Sequence, residues 1–220
     1  KEQKIADFYN NILDTESRNK IGVAPIKEYL DDINSAKNVK ELADVQLKLI
    51  KNLCMAPFTA FSITTDYKDS TKYIMYFGTM EPCMTKDFYL GGTDAQKASY
   101  LKYLKNIFEI GGESISDKEL EDFYNLEKTL AQKQLNPEDS NNIDKIYNIY
   151  TLDELQTLFP NIDLGEVLNS LGLKKEDKIL VTDEDFTKEF AKIYTDENLE
   201  VLKNAAKLSV LINYGGALNT

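Results

Sequence analysis

Histidine and tryptophan are absent from these 220 residues, arginine occurs once, at Arg18, and cysteine only twice. Each scarcity removes a class of chemistry. Without histidine there is no Ser-His-Asp or Cys-His catalysis, no imidazole ligand for zinc and no imidazole to move protons at neutral pH. With one arginine, nearly the whole chain lacks the planar fork that clamps carboxylates and phosphates. Cys54 and Cys83 cannot build a disulfide framework and form no C-x-x-C pair. Their apolar neighbours Leu53, Met55 and Met84 point to buried free thiols. No run of about 18 apolar residues exists, so no segment reads as a membrane span.

What is present is acid. Asp and Glu number 37 against 26 Lys and Arg, a net charge of −11. That surface repels phosphate backbones and anionic lipid, which argues against a nucleic-acid partner. It serves solubility, or the attraction of cationic peptides or metal ions. Hydrophobic residues make up 42% and charged residues 29%, a balance that supports an ordinary core without disulfides or metals.

Helix punctuation is dense. Asn38 to Glu41, Ser116 to Glu119 and Thr151 to Glu154 have the spacing of capping boxes, each before an apolar-periodic stretch. Thr93 opens a helix that stops at Gly111-Gly112, and Thr195 opens a last one through Leu199, Leu202, Ala206 and Val210. Tyr100 and Tyr103 lie at helical spacing, which predicts core packing with their hydroxyls at the rim. Two segments break the period. Phe58 to Thr65 and Lys72 to Thr79, around the turn-like Asp66 to Ser70, read as an antiparallel β-hairpin at about 58–80. Lys178 to Thr182 reads as an isolated strand. The expected fold is mainly α: a multi-helix, bundle-like lobe with one small antiparallel β-hairpin, covering residues 1–220.

Acid pairs such as Asp31-Asp32, Glu121-Asp122 and Asp183-Glu184-Asp185 are what 37 acids produce by chance, and solvated helix faces explain them. Asp14-x-Glu16-x-Arg18 lacks the remaining ligands and the glycine of a calcium loop, and Ser17-Arg-Asn-Lys20 lacks the companions of an S-x-x-K site. No catalytic and no metal-ligating residue is therefore assigned.

Several phrases, in order, resemble the N-terminal helical lobe of the neprilysin-type zinc metallopeptidases. This group includes neprilysin, endothelin-converting enzyme and bacterial oligopeptidase O. They are Asp7 to Asp14 with Gly22 to Ile26; the hairpin Ser62 to Ile74 leading into Thr85 to Leu90; Asn125 to Ala131 with Asn136 to Asp139 and Tyr147 to Leu155; and a terminal helix, Leu202 to Leu218. Lys86 stands where the family has arginine, and Ser140-Asn141-Asn142 replaces an arginine-bearing loop. Contacts made by those arginines are not carried over.

The resemblance implies a cavity-forming lobe that restricts a metalloendopeptidase to short peptides. Zinc would be held elsewhere in the longer protein, on an H-E-x-x-H helix plus a downstream glutamate. Residues around Phe77 to Met84 are expected to face the cavity. The chain begins at Lys1, so a trimmed start and an extracytoplasmic setting are expected. The alternative is a stand-alone helical module that binds peptide or protein without enzymatic activity.

Overall fold

A computed structural model describes residues 2–218. In order, the elements are α1 Glu2–Leu13, α2 Thr15–Ile21, α3 Lys27–Ser35, α4 Val39–Leu53, β1 Thr59–Asp66, β2 Asp69–Thr79, α5 Lys86–Gly91, α6 Asp94–Ile110, α7 Asp117–Lys133, α8 Ile143–Ile146, β3 Asn148–Tyr150, α9 Leu152–Leu158, α10 Leu164–Ser170, β4 Ile179–Val181, α11 Glu184–Ile193 and α12 Leu199–Leu218.

Side-chain caps set the helix starts. Thr93 with Gln96, Ser116 with Glu119 and Thr151 with Glu154 form complete capping boxes at α6, α7 and α9. At α4 the Asn38 side chain accepts from the Glu41 N–H at 2.9 Å, while the Glu41 carboxylate reaches the N–H of Lys37 instead of Asn38. Gly112, at φ +71°, lets the Glu113 N–H reach back to the Phe108 carbonyl at 2.9 Å and closes α6. Thr195 makes no side-chain cap; a 3-10 turn, Asp196–Asn198, precedes α12.

The hairpin is a two-residue connection, Tyr67-Lys68, between β1 and β2, paired from Thr59↔Thr79 to Asp66↔Asp69 with an irregularity after Thr65. Its tip is pinned: the Tyr147 hydroxyl donates to Asp66 Oδ2 at 3.0 Å, and the Lys68 ammonium lies 4.4 Å from the Tyr147 ring centre. The segment expected as an isolated strand is instead the middle of a four-stranded sheet, order β1-β2-β4-β3. β4 pairs parallel to β2 (Met75↔Ile179) and antiparallel to β3 (Ile149↔Leu180). Ile179, Leu180 and Val181 are all buried, and so continuous an apolar run suits a strand covered on both faces.

Rings connect this sheet to the helices. Phe61 meets Phe77 at 5.0 Å between centres, Phe77 meets Phe159 at 5.5 Å, and Phe159, Phe190, Tyr194 and Phe58 continue the row. At the other extreme, α1 turns Ile5, Phe8, Tyr9, Ile12 and Leu13 to solvent. Among the described residues no helix is long and apolar enough to cross a membrane.

Candidate functional site

The stretch Phe77 to Met84 leaves β2 and runs towards α5. Phe77 itself is in the core, at 1% exposure. Beyond it, Thr79, Met80, Glu81 and Cys83 line one wall of a cleft of about 280 Å³, opposite Ile212 and Asn213 of α12.

Glu127 lies at the back of this cleft, fully buried on α7. The Cys83 N–H donates to its Oε1 at 2.8 Å and the Tyr100 hydroxyl to its Oε2 at 2.6 Å. The Tyr89 hydroxyl adjoins the same carboxylate and accepts from the Met84 N–H at 3.2 Å. One acid and one phenol therefore hold two successive backbone amides of the loop. Loss of hydration raises the Glu127 carboxyl above its ordinary value, opposed by the hydrogen bonds from Tyr100, Cys83 and Tyr89. Tyr100 is pushed up strongly by burial and by the Glu127 charge. Its hydroxyl is thus an interior donor, not a rim group, whereas Tyr103 is 55% exposed.

The expected burial of both cysteines is not found: each is exposed. Cys54 occupies the left-handed position that ends α4, at φ 53°, where the side chain leaves the apolar face. Cys83 sits on the loop surface, yet its thiol abuts Glu127. Loss of water and then the neighbouring carboxylate push it up to about 12. In the folded protein at pH 8, iodoacetamide is expected to alkylate Cys83 far more slowly than it alkylates glutathione. Equal rates by mass spectrometry would show that the thiol does not feel Glu127.

Lys86 and two residues of the substituted loop, Ser140 and Asn141, meet in a second, open groove of about 790 Å³ between the hairpin tip and the segment after α7. The Lys86 ammonium donates to the Gln134 carbonyl at 2.5 Å and to Asn136 Oδ1 at 2.8 Å, tying α5 to the end of α7. Ser140 donates to the Pro137 carbonyl at 2.7 Å, and Asn142 caps α8. Glu81 and Asp183 stand on the same walls. Asp183 accepts from Leu135 N–H at 2.6 Å and, as the cap of α11, from Phe186 N–H at 3.1 Å. Desolvation pushes both carboxyls up, and Asp183 adds to the rise at Glu81.

Zinc needs three or more donors converging on one point. There is no histidine, and among the described residues no three Cys, Asp or Glu side chains converge. The donors among the described residues do not fit the ion.

The architecture is that of a helical lobe carried by a small mixed sheet, and it has close counterparts. The Mycobacterium tuberculosis zinc metalloprotease Zmp1, solved with an inhibitor, superposes with a TM-score of 0.82 over 98% of this chain at 26% identity. A family model of peptidase family M13 matches residues 1–220, and the chain belongs to that family, in its neprilysin-type N-terminal lobe. A Streptococcus gordonii protein, named as a candidate zinc metalloproteinase in the scaA 5' region, is 24% identical over 96% of this chain. Neprilysin-1 of Trittame loki is 22% identical over 96%. This chain spans 34% of the Zmp1 chain, 38% of the streptococcal protein and 33% of Neprilysin-1.

Proposed function

We propose that these residues form the cavity-bounding, non-catalytic lobe of a zinc metalloendopeptidase that cleaves short peptides. The observation that carries this reading is the match of the whole chain to one third of each related metalloprotease, combined with the absence of histidine. Zinc and the general base then belong to polypeptide outside these residues. The lobe contributes rigid walls: capped helices, a pinned hairpin and the loop fastened by Glu127 and Tyr89. The Thr79 to Met84 stretch is the part of this wall that meets peptide. The bare apolar face of α1 supports a larger assembly, because contiguous exposed apolar surface marks an interaction site.

Two measurements test this. The purified 220-residue chain is expected to retain no stoichiometric zinc after desalting and to cleave no peptide; reproducible chelator-sensitive hydrolysis by it would refute the assignment. The complete reading frame is expected to encode H-E-x-x-H and a downstream glutamate. Its product should cleave short peptides and spare folded proteins. A frame without the motif would leave a stand-alone binding module.

A further inference from the structure

We propose that the groove between the hairpin tip and the 135–146 segment binds a peptide through a lysine or arginine side chain seated between Glu81 and Asp183. At about 790 Å³ the groove has the volume of a ligand site, not of a packing defect. Leu135, Pro137 and Ile143 give it apolar walls along which the methylenes of a long basic side chain can lie.

Its charge points the same way. Glu81 is held by a neutral donor, Gln134 Nε2 at 2.9 Å, and Asp183 by two backbone N–H groups. Neither carboxylate makes a salt bridge among the described residues. The single ammonium on the walls, that of Lys86, is directed at a carbonyl and an amide oxygen. Two carboxylates against one ammonium leave the groove net negative, inside a chain of net charge −11 that draws cations towards it. Loss of water raises both carboxyls; the Asp183 charge adds to the rise at Glu81, and Asp185 adds to that at Asp183 against the opposing charge of Lys86, so a further cation between them is favoured. The site is independent of whether the chain serves a peptidase, since every group it uses lies within these residues.

The test uses the 220-residue chain and three fluorescein-labelled, amidated hexapeptides that are alike except for arginine, citrulline or glutamate at one central position. Citrulline keeps the shape of arginine and removes its charge. Fluorescence anisotropy at low ionic strength is expected to show the arginine peptide binding roughly tenfold tighter than the citrulline peptide, the scale of one charge-assisted contact. Added salt should narrow the difference. Glu81→Gln, which keeps an acceptor and the Gln134 contact, should abolish most of the preference, and Asp183→Asn likewise. Asp153→Asn, an exposed acid on α9, should not. Equal binding of arginine and citrulline peptides would overturn the proposal, as would tighter binding of the glutamate peptide or equal losses in all three variants.

Discussion

Glu127→Ala is expected to destabilise the protein by about 3 kcal/mol, because it strands two donors and leaves a hole. The Cys83 N–H and the Tyr100 hydroxyl lose their acceptor, and Tyr89 loses a neighbour in the same cluster. For a chain of this size the loss corresponds to a fall of roughly 6–12 °C in Tm. Glu127→Gln should behave quite differently. Its carbonyl still receives the Cys83 N–H, its amide can donate to the Tyr100 oxygen, and the desolvated charge is gone.

The pH dependence supplies the sign. A carboxyl raised above its ordinary value holds its proton more tightly folded than unfolded, so its stabilising contribution is complete below about pH 4.5 and is lost as pH rises through the folded value. The Gln variant should therefore match or exceed the parent in stability at pH 7, and lose any advantage below about pH 4.5. Urea melts at both pH values measure this. A Gln variant as damaged as the Ala variant would mean that the ionised form is required.

The second large effect is expected at Gln46, buried on α4. Its Oε1 accepts from the N–H groups of Phe58 at 2.8 Å and Thr59 at 3.0 Å, and its Nε2 donates to Thr59 Oγ1 at 3.1 Å. One side chain thereby supplies the acceptor for two buried amides where the chain enters β1. Gln46→Leu fits the space but leaves both amides without a partner, at a cost of about 4 kcal/mol. Thr59→Val removes only the weakest of the three bonds and should cost about 1 kcal/mol. Hydrogen exchange separates the two: the Phe58 and Thr59 amides should lose protection in Gln46→Leu and keep it in Thr59→Val. A Leu variant within 1 kcal/mol of the parent would show that water takes over the glutamine's role.

Neither residue was given a role from the sequence, although both left a trace and Glu127 lies within the family-like phrase Asn125 to Ala131. Gln46 lies on the stripe Leu42, Leu49 and Leu53, and Glu127 on the stripe Leu120, Phe123 and Leu130. A polar residue in the apolar period of a helix must find partners inside, but the partners come from other elements, and periodicity along one helix cannot name them. What was legible is local. Caps declare themselves within four residues, so the starts of α4, α6, α7 and α9 were readable, and so was the hairpin, whose partners adjoin. The place of β4 was not, because a three-residue strand carries no period and its neighbours lie far away in the chain. The cysteines misled because apolar neighbours in sequence do not fix the direction of a side chain at a helix end or on a loop. The groove around Glu81 and Asp183 was equally hidden, since it is assembled from the hairpin tip, the end of α7 and the start of α11.

The seat of β4 between β2 and β3 also sets a timetable. Met75 and Ile179 are roughly a hundred residues apart in sequence, and such distant pairings are slow to form because the intervening loop must close first. During synthesis β1 and β2 can pair as soon as they emerge, but the inner edge of β2 then waits, unpaired and flanked by Met75 and Phe77, until Ile179 to Val181 arrive. An uncovered strand edge is where other chains attach. A chain cut before Lys178 is therefore expected to aggregate instead of forming a smaller lobe.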